Sequence, residues 1–160
     1  MNELALSKPR VLPPKGLLVA LAAQLPLLVS AGPLRPSPLE IAAGGLLLVA
    51  GVVLNVWAER LFRHSGVGVC PFTHVPVMVA RGPYRLTRNP MYLGLVCLNL
   101  GATLLTGVLA NAWSSIAFGM WLHFAFVLPE EVFLRRELGR AFDEYAAVVP
   151  RWLSVSGQRA

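Results

Sequence analysis

Charge is scarce in this sequence: only 14% of its 160 residues are Asp, Glu, Lys or Arg, and none of them falls between Asn89 and Pro129. Hydrophobic residues make up 56% and the mean hydropathy is +0.61. A water-soluble domain this small has too little interior for that much apolar side chain, so a soluble globular enzyme is excluded. Cysteine is scarce too. Cys70 and Cys97 form no Cys-x-x-Cys pair, which excludes a disulfide framework or a cysteine metal cluster. His64, His74 and His123 make no recognisable ligand spacing, so no metal is expected. No internal repeat or low-complexity tract is present. Acidic residues are the rarer sign, leaving a net charge of +6. The arginines sit beside apolar runs and form no soluble basic face, so anionic lipid headgroups account for them and no nucleic-acid partner is expected.

What is present is a series of apolar runs. A spanning helix takes roughly 20 such residues, which predicts spans at residues 16–32, 39–59, 90–107 and 111–129, the last two divided by a turn at "TGVLAN" (Thr106 to Asn111). The expected fold is all-α: a polytopic membrane protein, one domain over residues 1–160, with about four transmembrane helices. Lys and Arg collect on the cytoplasmic side. Lys8, Arg10 and Lys15 precede the first span, Arg60 to Arg88 lie between the second and third, Arg135 to Arg159 follow the fourth, and Arg35 alone falls opposite. Both termini and the middle loop are therefore expected in the cytoplasm, with the chain in the inner or plasma membrane. Lys8 to Lys15 followed by an apolar run ending in "VSA" also resembles a signal peptide; a retained span is expected, because the charge count works with it in place.

The loop from Arg60 to Asn89 is long for a compact membrane protein. Its Val, Phe, Met and Tyr content predicts an ordered segment packed on something. After Pro129, Leu134, Leu138, Ala141, Phe142 and Tyr145 share one helical face while Arg135, Arg136, Arg140 and Glu144 take others. This predicts an interfacial amphipathic helix ended by Pro150, with Trp152 as an interfacial anchor. His123, inside the fourth span, is either a functional group or a helix-packing hydrogen-bond partner.

"RGPYRLTRNPMYLG", Arg81 to Gly94, places stiff backbone and three arginines against the third span. Gly82-Pro83 and Asn89-Pro90 fix the chain locally, and Pro90 suits the first helical turn with Asn89 as N-cap. The start of that helix, with Arg85 and Arg88, favours an anion. Glu130 and Glu131 stand at the inner end of the fourth span, so a hairpin of the two spans would face donors with carboxylates, as a zwitterion requires. The plainer reading is topological: arginines obeying the positive-inside rule, and glutamates solvated or paired with Arg135.

As a whole, "GPYRLTRNPMYLG", then "EE", then "FLRRELGRAFDEYAAVVPRWL" resembles the isoprenylcysteine carboxyl methyltransferase and phospholipid methyltransferase group of integral membrane enzymes, over about residues 73–153. The resemblance implies S-adenosylmethionine as cofactor, held by Pro76, Val77, Met78, Val79, Tyr84, Asn89, Pro90, Met91, Tyr92 and Glu130. Catalytic residues are unassigned, with Arg85, Arg88 and Glu131 as candidates. It implies a lipid or lipidated acceptor, an isoprenylcysteine-like carboxylate or another lipid. Two departures concern that acceptor. Phe126 stands where the isoprenylcysteine branch carries an arginine, and that branch's Arg-His-Pro is here Arg88-Asn89-Pro90. A phospholipid N-methyltransferase, an NADPH-dependent membrane sterol-type reductase and a non-catalytic membrane scaffold are the alternatives.

Overall fold

A computed structural model of the chain describes residues 12–32, 34–64 and 80–153, and all regular structure among them is helical. The helices are α1 (Pro13–Ala22), α2 (Leu25–Ser30), α3 (Pro38–His64), α4 (Pro90–Thr106), α5 (Ala112–Leu122), α6 (Leu128–Leu138) and α7 (Arg140–Val148). Three stretches are long and apolar enough to cross a membrane: Pro13–Ser30, Pro38–His64 and Leu109–Leu138. The third expected span is α4, apolar but only 17 residues long, about 26 Å at 1.5 Å per residue. The outward side of α3 exposes Leu39, Leu46, Val49, Val52, Val53 and Trp57. Exposed aliphatic side chains in such number are stable against lipid and costly in water.

Two expected spans differ in detail. The first is broken at Ala23–Gln24. Pro26 lacks the N–H that an unbroken helix would need there and its ring crowds the carbonyl one turn earlier. The last does not stop near Pro129 but runs through to Leu138, joined across a π turn, His123–Val127, in which the Leu128 N–H reaches back to the His123 carbonyl. The wider turn makes room for the Pro129 ring and absorbs its missing donor. The surface helix expected after Pro129 is therefore shorter. It is α7 alone, set off by Gly139 at φ 53°, and Pro150 follows its end as expected.

Helices α3 and α4 run antiparallel in backbone contact. Gly44 faces Gly101 and Gly51 faces Gly94, so each helix offers two glycines seven residues apart. A Cβ at Gly51 would lie 2.7 Å from the Gly94 carbonyl oxygen, and one at Gly101 2.8 Å from that of Gly44. Small residues on both sides let the backbones approach, as membrane helix pairs require in the absence of a hydrophobic drive between them. The expected turn after α4 is present, with Gly107 in the left-handed conformation at φ 70°.

A buried polar cluster joins the broken first span to α4 and α5. Gln24 donates from Nε2 to Asn99 Oδ1 (3.2 Å) and Ser114 Oγ (2.9 Å), and accepts from Thr103 Oγ1. Ser114 and Ser115 donate to Asn99 Oδ1, and Asn111 Nδ2 donates to the Gln24 carbonyl. All six residues are buried. The helix break thus has a use, since it turns Gln24 inward where its amide meets partners that lipid could not supply.

Candidate functional site

The N-terminal turns of α4 and α6 meet through a hydrogen bond: Tyr92 Oη donates to Glu130 Oε2 at 2.9 Å. Tyr92 lies in the second half-turn of α4 after Pro90, and Glu130 in the first turn of α6 after the π turn. Behind them is an aromatic wall in which Phe126, fully buried, packs on Tyr92 (ring centroids 5.9 Å) and on Trp121 (5.1 Å). Tyr84, in the 3-10 turn Gly82–Arg85, stands edge-on to Phe62 of α3 at 5.2 Å. Gly82 presses against Trp57 and Leu61 at φ 55°, so this loop is seated on α3. Burial, and then the Glu130 charge, push the Tyr84 phenol far above its usual range. Tyr84 therefore stays protonated within electrostatic reach of Glu130.

Glu131 is employed differently from its neighbour. Its carboxylate takes both forks of Arg151, Nε to Oε1 at 2.8 Å and an Nη to Oε2 at 2.7 Å, and Arg88 adds a contact at 3.3 Å. Burial lowers the Arg88 pKa and Glu131 partly restores it; the more open Arg151 is raised by its bonds to Glu131. Both guanidiniums remain charged, and Glu131 is shared between them. Arg135, the partner considered for the glutamates, pairs with Asp143 (2.7 Å) and lies over the Phe142 ring.

Of the residues expected in the site, Tyr84, Asn89, Pro90, Met91, Tyr92, Glu130, Glu131 and Arg88 converge on this end of the bundle. Arg85 is exposed at the end of the 3-10 turn. Pro76, Val77, Met78 and Val79 lie outside the described residues, as do Cys70 and His74. Asn89 holds the N-cap position of α4, yet its side chain caps nothing. Its Nδ2 donates instead to the Arg151 carbonyl at 2.9 Å, which fixes the amide toward the segment after α7.

The segment after α7, expected to hold an interfacial anchor at Trp152, bonds instead to the residues before α4 and to the π turn. The Arg88 N–H donates to the Pro150 carbonyl (2.9 Å), and Thr87 Oγ1 to that of Arg151 (2.9 Å). Trp152 Nε1 donates to His123 Nδ1 (3.3 Å), so Trp152 is turned onto the bundle and His123 plays the packing part of its two readings. Tyr145 Oη donates to the Tyr84 carbonyl at 2.7 Å. The signal for Thr87 and Arg151 was their place inside the resembling motif, but a threonine between arginines and an arginine after a proline carry no periodicity.

A family model described as phospholipid methyltransferase matches residues 39–141. The chain belongs to this family. The match runs from the start of α3 to the start of α7 and so takes in Tyr92, Glu130 and the glycine-faced helix pair. Among curated proteins, the family member is 37% identical over 113 residues to a probable protein-S-isoprenylcysteine O-methyltransferase of Oryza sativa subsp. indica, covering 66% of this chain and 56% of that protein. It is 37% identical over 76 residues to protein-S-isoprenylcysteine O-methyltransferase B of Arabidopsis thaliana, covering 46% and 37%. The chain spans about half the length of the first of these. No solved structure matches it. Its long apolar helices and its family together make it an integral membrane protein.

Proposed function

We propose that this protein is an S-adenosylmethionine-dependent methyltransferase acting on a lipophilic acceptor at the cytoplasmic face of its membrane. The observation that carries the reading is the Tyr92–Glu130 hydrogen bond, which brings the two halves of the motif into one place. The donor set suits the cofactor's amino-acid end. Glu130 offers a carboxylate to an ammonium, and the first turn of α4 offers N–H groups with no carbonyl to meet within the helix, together with its positive dipole end, to a carboxylate. The arginines contribute less to that wall than their sequence positions suggest, because Arg88 is engaged by Glu131. Residues 76–79, Tyr84 and Met91 complete the proposed contacts.

When bound, the cofactor supplies an activated methyl group on a sulfonium. The chain's own task is then alignment and exclusion of water. Tyr92 fixes the Glu130 carboxylate, the π turn and Pro129 set the direction of α6, and the Tyr92, Phe126 and Trp121 wall keeps one side of the site dry. No nucleophilic side chain is needed, and an oxygen or sulfur acceptor that is already anionic needs no base; an amine must shed a proton. Phe126 bears on this choice. It is packed between two aromatic rings where the isoprenylcysteine branch is expected to hold an arginine, which favours an acceptor other than a carboxylate, such as a phospholipid amine.

Purified protein incubated with methyl-labelled S-adenosylmethionine and a total lipid extract should label a lipid; release of the label by base would identify an ester, and resistance would exclude one, as expected for an amine. Glu130→Gln should weaken cofactor binding at least tenfold while inserting normally in the membrane. Binding of NADPH and none of S-adenosylmethionine would establish the reductase alternative, and binding of neither would leave a scaffold.

A further inference from the structure

Residues 149–152 cross the site as a strap. Val149 is buried. Beyond it the Pro150 and Arg151 carbonyls accept from the Arg88 N–H, Thr87 Oγ1 and Asn89 Nδ2 on the α4 side. The Arg151 guanidinium reaches Glu131 of α6 and Trp152 reaches His123 of the π turn. One short segment thus ties the loop that begins α4 to the two turns that begin α6, the same elements that carry Tyr92 and Glu130.

We propose that Arg151 is a positioning residue for the cofactor site: its two-pronged hold on Glu131 fixes the rotation of the first turn of α6 and so aims the adjacent Glu130 at Tyr92. The inference rests on the reading that Glu130 and the first turn of α4 hold S-adenosylmethionine. Charge balance does not require Arg151. The Glu131 carboxylate, 8% exposed, already has a buried counter-charge in Arg88, 12% exposed. What Arg88 lacks is geometry, with one contact at 3.3 Å and an Nε that meets no partner. Arg151 supplies two short parallel bonds in the plane of the carboxylate, the arrangement that restricts a carboxylate's rotation. Consecutive helical residues are separated by about 100° around the axis, so a Glu131 pinned toward the strap leaves Glu130 directed toward α4. Lysine at 151 would keep the charge and lose the fork.

The test is a binding series on full-length protein in lipid nanodiscs, with S-adenosylmethionine as titrant and thermal unfolding followed in parallel. Arg151→Lys should weaken affinity about tenfold with a melting temperature close to that of the wild type. In a Glu131→Gln background the same substitution should cost no further affinity, because the group through which Arg151 acts is gone. Wild-type affinity for Arg151→Lys, or a loss that adds in full to that of Glu131→Gln, would overturn the proposal. If Glu130→Gln weakens binding while Arg151→Lys leaves it at the wild-type value, the proposal alone falls. If the wild type does not bind the cofactor, the functional reading falls and takes the proposal with it.

Discussion

Replacing Gly51 by alanine should destabilise the protein, while the same replacement six residues earlier at Gly45 should not. Both positions lie inside α3 and both gain the same helix propensity from alanine, about 1 kcal/mol. They differ in surroundings. A Cβ at Gly45 meets nothing within 4 Å, whereas at Gly51 it would stand 2.7 Å from the Gly94 carbonyl oxygen and 2.8 Å from Leu98 Cγ. The usual C···O approach is about 3.3–3.6 Å, so α3 and α4 must separate by several tenths of an ångström along a seam where the opposing atom is backbone and cannot rotate away. Overpacking of this kind costs about 1–3 kcal/mol. Because the propensity gain is common to both variants, that range is the expected difference between them, or roughly 2–12 °C in melting temperature for a chain of this size. Thermal unfolding of the two variants in the same nanodiscs measures it directly. Equal melting temperatures, or a Gly51→Ala more stable than Gly45→Ala, would refute the close-packed seam. A further consequence reaches the site: α3 also supports Gly82 through Trp57 and Leu61, so Gly51→Ala should weaken cofactor binding where Gly45→Ala does not.

Other substitutions test the remaining parts. Arg88→Lys gives up a single 3.3 Å contact to a carboxylate that keeps both bonds from Arg151, so stability should fall by no more than about 1 kcal/mol, and a chemical denaturation series reads it; a loss of about 3 kcal/mol would make Arg88 and not Arg151 the main partner of Glu131. Asn99→Leu removes the acceptor shared by Gln24, Ser114 and Ser115 and should destabilise by about 1–3 kcal/mol, whereas Leu109→Ala, at an exposed site, should change stability by no more than about 0.5 kcal/mol. Tyr145 gives a pH signature. Burial pushes its phenol up to about 12, against a partial lowering by Arg88, while an unfolded tyrosine titrates near about 10. A pKa raised on folding means that the contribution is complete below about 10 and is lost as pH rises through about 12. Melting temperature should fall across that window, and Tyr145→Phe, which cannot donate to the Tyr84 carbonyl, should flatten that part of the profile.

The primary sequence was sufficient for everything that depends on local composition. Runs without charge identified the membrane helices, since lipid penalises a charge wherever the helix is placed, and Gly107 identified the turn before α5, since a left-handed residue there favours glycine. The family resemblance, and not composition, named Tyr92 and Glu130 together, and across 38 residues the two meet in a hydrogen bond. Where the sequence reading departed from the structure, the cause was a choice among partners that only the folded chain offers. Pro26 broke a helix that hydropathy reads as continuous, while Pro129 was absorbed by a π turn, because the first site has Gln24 and its polar neighbours to receive a break and the second has a packed core to hold a wider turn. Glu130 and Glu131 are indistinguishable by spacing and type. One faces Tyr92 and the other faces two arginines, because a one-residue step turns about 100° around the helix and tertiary packing decides which side meets the strap. The strap itself was illegible for the same reason: hydrogen bonds from Thr87, Arg88 and Asn89 to carbonyls more than sixty residues away leave no periodic mark on the chain, and they exist only once α7 has returned the C-terminal segment to the mouth of α4.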